Sequence, residues 1–119
     1  MAFEIDIQER IIQFAARIIK LCNTLPKTTA GDQLARDLLR SGITPAAYHS
    51  GALSAVDLSE FIHNLNLAVK DLNESEVWMR VIVAAEVLPE NKVSPLLDEC
   101  NQLQRIIKSS IKTASETAS

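Results

Sequence analysis

The stretch between Ser54 and Leu88 constrains the fold of this chain more than any other part of its 119 residues. It contains no proline and no glycine, and it is rich in strong helix formers. At 1.5 Å per residue, it predicts a helix roughly 50 Å long, which exceeds the usual length in globular proteins. Ser54, followed three residues later by Asp57, marks the predicted start of that helix. Such a segment favours an all-α fold.

Three further helices are predicted around this segment. The first ends before Pro26, because a residue that precedes proline is disfavoured in the α region. The second contains Pro45, which predicts a kink or break within it, and ends before Gly51. Ser94 and Pro95 predict the N-cap and the first residue of the last helix. A single domain, 1–119, is therefore expected to hold helices at residues 5–25, 30–50, 54–88 and 94–114. Short connections favour an antiparallel up-down-up-down four-helix bundle with one long third helix.

The first and third helices carry more apolar surface than one subunit can bury. In the first helix, apolar side chains cover an arc of roughly 200°, whereas a single buried stripe needs about 100°. In the third helix, the apolar pattern rotates halfway along, so that apolar residues appear on the side that began as polar. A contiguous exposed apolar surface usually marks an interface. We therefore predict a homo-oligomer whose subunit interface includes Ile12, Ile19, Trp78, Val81 and Ala85.

The residue types that most often bind metals or react are few and scattered. His49 and His63 are the only histidines, and their spacing predicts ordinary surface or bundle-end side chains rather than metal ligands. Cys22 and Cys100 are predicted at a similar height in the bundle, as small buried hydrophobic side chains in preference to a redox couple.

The chain also lacks the short motifs of common enzymes. It has no phosphate-binding loop, dinucleotide fingerprint or hydrolase nucleophile motif. Glu76 follows the core face of the third helix, and a structural pair with Arg80 is favoured over a ligand-facing role. We therefore predict that the chain is not an enzyme and holds no cofactor or metal, and the sequence identifies no small-molecule substrate.

The overall charge does not favour binding to nucleic acid or to a membrane. The formal net charge is −3, so the chain has no global field that attracts phosphates. One local stripe on the last helix, Arg105, Lys108 and Lys112, could contact phosphates, although cations are also typical of the outer face of such a helix. No apolar run is long enough for a bilayer span, and the first ten residues lack a signal-peptide pattern, so a cytoplasmic location is expected.

Two segments resemble a known protein family. LARDLLRSG at 34–42 and EFIHNLNLAVKDLNESEVWMRVI at 60–82 are similar to the four-helix bundle family encoded by intervening sequences of bacterial 23S rRNA genes. The resemblance implies a left-handed up-down bundle, homo-oligomers that are ring-like pentamers in some relatives, and no established catalysis. A related branch resembles the accessory proteins of diversity-generating retroelements, which associate with reverse transcriptase and nucleic acid. Where relatives read Asn-Tyr-Arg-Glu-Ala, this chain has Tyr-His-Ser-Gly-Ala at 48–52.

Two functional hypotheses follow from these observations. The first is a non-enzymatic helical bundle that assembles with copies of itself, with a pentamer favoured by the resemblance, and that acts as a scaffold or interaction protein. The second is an accessory protein that binds structured RNA or a reverse transcriptase, in which Arg105, Lys108 and Lys112 contact phosphates. The excess apolar surface supports the first hypothesis, and the acidic balance weakens the second.

Overall fold

A computed structural model of the chain describes the backbone of residues 2–118 and the side chains of residues 6–117. The predicted domain 1–119 thus includes Met1 and Ser119, which lie outside the described residues. The described part folds as four helices and contains no strand: α1 (Ala2–Cys22), α2 (Thr29–Leu53), α3 (Leu58–Ala84) and α4 (Glu90–Ala118). Each helix packs on its sequence neighbours, and α1 also packs on α4. The predicted all-α up-down four-helix bundle is confirmed, with extents of 48 × 22 × 20 Å.

One apolar stripe from each helix fills the core. The predicted stripe of α1 is buried throughout, and its central residues Phe14 and Ile18 have no exposed surface. The heptad positions of α3 contribute Leu65, Leu72 and Met79, which are also fully buried. No helix, over the described residues, is long and apolar enough to cross a membrane.

The connection between α2 and α3 differs from the sequence prediction. Asp57, and not Ser54, caps α3, because its carboxylate accepts a hydrogen bond from the Glu60 N–H at 2.8 Å. The Glu60 carboxylate in turn accepts from the Val56 N–H at 2.8 Å, which closes a reciprocal cap. Ser54 instead ends α2. The third helix is therefore shorter than predicted, with 27 residues, and α4 with 29 residues is the longest.

The second helix passes through Pro45 without the predicted break. It continues to Leu53, so that Gly51 lies inside the helix and not beyond its end. A proline inside a helix removes one hydrogen bond and costs about 3 kcal/mol. Here Pro45 is buried, and packing of α2 between α1 and α3 offsets that cost.

The turn between α3 and α4 also lies earlier than predicted. Glu86 adopts a left-handed conformation with φ of 57°, and the Val87 N–H donates to the Ile82 carbonyl at 2.9 Å. This arrangement ends α3 at Ala84 as a Schellman motif, although no glycine marks it in the sequence. Because α4 then begins at Glu90, Ser94 is not its N-cap, and Pro95 lies within the helix.

The closest approach between α1 and α2 depends on Gly42. A Cβ atom at this position would lie 2.7 Å from Ile18 Cγ2, well inside van der Waals contact. At Gly51, by contrast, the nearest atom is the amide oxygen of Asn64 at 3.1 Å, the far end of a side chain that can rotate.

We predict opposite effects of Gly→Ala substitution at these two positions. Gly42→Ala should lower the free energy of unfolding by roughly 1–3 kcal/mol, because overpacking against Ile18 outweighs the better helix propensity of alanine. Gly51→Ala should leave it unchanged or raise it by about 0.5–1 kcal/mol. Urea unfolding followed by circular dichroism measures both. If Gly42→Ala were as stable as the parent, α1 and α2 could not approach this closely.

Candidate functional site

The predicted interface residues lie mostly at the surface. Ile12, Ile19 and Val81 are 41%, 43% and 39% exposed, which is high for large aliphatic side chains. Ala85 is the exposed C-cap of α3. Trp78 differs, since its ring is half-buried against the core and its Nε1–H donates to the Glu74 carboxylate at 3.4 Å. The structure therefore leaves four of the five predicted interface side chains available to a partner.

Three exposed isoleucines lie on the outside of the α1–α2 pair and form an apolar surface that we call the α1–α2 ridge: Ile12, Ile19 and Ile43. Ile12 and Ile19 are seven residues apart and share one face of α1. Ile18 contacts Gly42 across the helix pair, so Ile19 and Ile43 each follow a contacting residue by one position. One residue along a helix turns the side chain by about 100°, so both isoleucines point away from the contact and toward solvent. Ile43 is 39% exposed.

A second apolar surface, the α3 patch, is formed by Val77, Val81 and Ala84. Val77 is 44% exposed, and the three side chains line a shallow depression together with Arg80. The patch lies on the side of α3 that faces away from the buried Met79 and Ile82.

The predicted interface lacks three residues of these surfaces, Ile43, Val77 and Ala84. Ile43 precedes Pro45, where the predicted kink or break leaves the outward face of the second helix unassigned. Val77 adjoins the point at which the apolar pattern of α3 rotates. A helical wheel drawn through Pro45 would have revealed Ile43, since α2 is continuous there.

Polar contacts fix the register between α2 and α3. Arg40 pairs with Glu74, and the Thr44 hydroxyl donates to the Asp71 carboxylate. At the buried centre of the same interface, the hydroxyls of Ser41 and Ser75 lie 2.9 Å apart. Neither serine contacts a histidine or carboxylate in these bonds, so the pair has the geometry of a structural link and not of an activated nucleophile.

His49 lies in the core and not at the surface or bundle end as predicted. It is fully buried, and its Nδ1 is 2.6 Å from Oε1 of Gln8 in α1. The Gln8 amide also donates to the Ala46 carbonyl at 3.2 Å, so the cluster ties α1 to α2. The prediction was wrong because α2 continues to Leu53, which places His49 on the same inward face as Leu38 and Pro45. His63 is exposed, as expected.

The two cysteines contact different helices. Cys22 Sγ is 3.8 Å from the Ala35 carbonyl oxygen of α2, and Cys100 Sγ is 3.1 Å from the Leu72 carbonyl oxygen of α3. Both are buried, in agreement with the predicted hydrophobic role and not with a redox couple.

Glu76 pairs with a residue of another helix and not with Arg80 as predicted. Its Oε1 accepts a hydrogen bond from Nε2 of Gln104 at 2.9 Å. Gln104 is itself buried and contacts Cys100 Sγ at 3.7 Å, so the carboxylate stabilises a polar side chain between α3 and α4. The described residues contain no group of three or more histidines, cysteines or carboxylates that could hold a metal ion.

The basic stripe on α4 lies at the surface. Arg105, Lys108 and Lys112 are all exposed. Their spacing of three and four residues places them within an arc of about 60°. The ion pairs that form between described residues, Arg10–Glu99 and Arg40–Glu74, do not involve them.

These features define a small all-α bundle protein with two exposed apolar surfaces and, over the described residues, no assembled reactive centre. The chain belongs to the 23S rRNA-intervening sequence protein family, whose profile matches residues 4–109. Its fold is similar to the crystal structure of a protein of unknown function from the S23 ribosomal protein family of Bacteroides thetaiotaomicron, with a TM-score of 0.86 and 25% identity. That match covers 92% of this chain and 97% of the other. A comparison with curated proteins gave no match.

We predict that both thiols react slowly in the folded protein. Burial raises the pKa of Cys22 to about 11 and that of Cys100 to about 12, so the reactive thiolate is scarce at pH 8. For Cys22 the thiolate fraction should be on the order of 100-fold below that of an exposed thiol. Reaction with a coloured disulfide reagent measures this, and Cys22→Ser and Cys100→Ser assign the two phases. Equal rates in native buffer and in denaturant would contradict the prediction.

Proposed function

We propose that this protein is a non-enzymatic helical bundle that assembles with copies of itself and serves as a scaffold or interaction protein. The observation that carries the proposal is the exposure of large aliphatic side chains on two separate surfaces, the α1–α2 ridge and the α3 patch. Single exposed aliphatic residues are ordinary, but clustered ones usually mark an interface. Membership of a family of unknown function is consistent with a role that needs no catalytic residues.

The positions of the two surfaces favour contact between unlike faces. The α1–α2 ridge lies between two helices, whereas the α3 patch lies on a helix that does not pack on α1. A two-fold dimer needs one self-complementary surface, whereas two different surfaces on one subunit join head to tail and form a ring when the rotation between copies closes. We therefore propose that the ridge of one copy packs on the patch of the next. The family resemblance favours a ring of five.

We predict that the native protein sediments as a multiple of the 13.1 kDa subunit, with five copies as the expected number. Replacing Ile12 and Ile19 by Gln, or Val77 and Val81 by Gln, should each yield monomers, because either change makes one half of the contact polar. Analytical ultracentrifugation at micromolar concentration measures the masses.

Mixing these two double variants separates head-to-tail from two-fold association. Each variant retains one intact surface, so the mixture should form a dimer of twice 13.1 kDa that cannot grow further. Val56→Gln is the matched control, because Val56 is 90% exposed in the connection outside both surfaces. A 13.1 kDa native species would reject self-assembly, and normal assembly of either double variant would reject the proposed pairing.

A second candidate function is binding of structured RNA along α4. It is favoured by one observation, the three exposed cations Arg105, Lys108 and Lys112 within a narrow arc. The net charge of −3 works against it, so binding would depend on this stripe alone.

We predict that any RNA binding by this stripe is weak and sensitive to salt. Replacing Arg105, Lys108 and Lys112 by Gln should abolish a mobility shift seen at low salt, and each single change should reduce the salt slope by about 1. Lys70→Gln, an exposed cation of α3, serves as the control. The absence of a shift at low salt for the native protein would remove this candidate.

A further inference from the structure

A cleft opens at the end of the bundle where α1 ends and α4 begins. Its floor is formed by Leu21 of α1, Leu88 of the connection after α3, and Leu96 of α4. Leu21 and Leu96 are buried, and Leu88 packs on the core. Pro89 of the same connection and Pro95 of α4 also line the cleft. Its volume is about 410 Å³, within the range of small-molecule sites.

The rim of this end cleft is cationic. Arg17 and Lys20 of α1 and Lys92 of α4 line it, and no carboxylate is among its lining residues. All three cations are exposed, and neither ion pair that forms between described residues involves them. Lys20 lies in the last turn of α1, where a cation complements the helix dipole. That effect accounts for one charge and does not explain why three converge from two helices, in a chain whose net charge is −3.

Positive and negative side chains line separate clefts around the start of α4. The groove between α3 and α4 has a similar volume, about 420 Å³, but is lined by Glu76, Glu90 and Asp98 with Arg80 as its one cation. An anion is therefore attracted to the end cleft and repelled from the adjacent groove. The two sites differ in charge and not in size.

We propose that the end cleft binds a free, small amphiphilic carboxylate. Its apolar body would lie on Leu21, Leu88 and Leu96, and its carboxylate would be held by Arg17, Lys20 and Lys92. An ammonium head group would meet three like charges, and an uncharged head group would leave the cations without a partner. The leucine floor sets this ligand apart from inorganic phosphate, which would use the rim alone.

Calorimetric titration of the full chain with octanoate tests the proposal. We expect saturable binding of octanoate below its micellar concentration, with markedly weaker binding of octanamide, octylammonium and inorganic phosphate. Lys92→Gln and Arg17→Gln should each weaken octanoate binding roughly tenfold, as expected for the loss of one charge-assisted contact. Lys70→Gln, which removes an exposed cation of α3 outside the cleft, should leave binding unchanged.

Several outcomes would overturn the assignment. They are an absence of saturable binding, binding of octanamide as tight as that of octanoate, or weakening by Lys70→Gln equal to that by the rim substitutions. Sedimentation with anionic phospholipid vesicles, abolished by Lys92→Gln, would assign the cleft to a lipid surface and contradict a free ligand. Because the two rim substitutions lie on different helices, and circular dichroism reports the fold of each, one misfolded variant leaves the test intact. The ridge and patch substitutions do not touch this cleft, so self-assembly and carboxylate binding can fail separately.

Discussion

The close contact between Gly42 and Ile18 is the constraint on which the rest of the bundle depends. It lets the Ile18 side chain of α1 pack directly on the backbone of α2, and it fixes which residues of both helices face outward. Ile19 and Ile43 follow this contact by one residue each, so they cannot turn inward without breaking it. Further along the same helix pair, the contact between His49 and Gln8 also joins α1 to α2. Core packing and the exposed ridge thus both depend on how α1 packs on α2.

A bundle of this size has too little interior for its apolar residues. Four helices bury one stripe each, yet 47% of the chain is hydrophobic. Most of the large exposed aliphatic side chains lie on the α1–α2 ridge and the α3 patch, and the others, Leu53, Val56 and Leu58, lie at the α2–α3 connection. Aliphatic surface gathered in this way is stabilised when a second surface covers it. The protein therefore has a physical reason to assemble, even though the described residues do not form a reactive centre.

Polar groups in this fold serve mainly to align helices. Ser41 and Ser75 join α2 to α3, Gln104 and Glu76 join α4 to α3, and Arg10 joins α1 to α4. Every buried side-chain polar atom of the described residues has a partner, so none is left aimed at a ligand. The charges with no such role lie at the surface, where the end cleft collects three cations around an apolar floor. The binding site that we propose therefore lies at the surface of the bundle.

The sequence by itself determined the helical class, the four-helix count, the buried stripes and the presence of surplus apolar surface. These follow from periodicity, which is a local property of neighbouring residues. It did not determine where the helices end, because Asp57 competes with Ser54 as a cap and Glu86 ends α3 without a glycine. Only the tertiary structure decided that α2 passes through Pro45, that His49 is buried and that the two thiols contact different helices. Each of these depends on which helices pack together and on their relative register. The apolar periodicity of one helix does not specify its contacts with another helix.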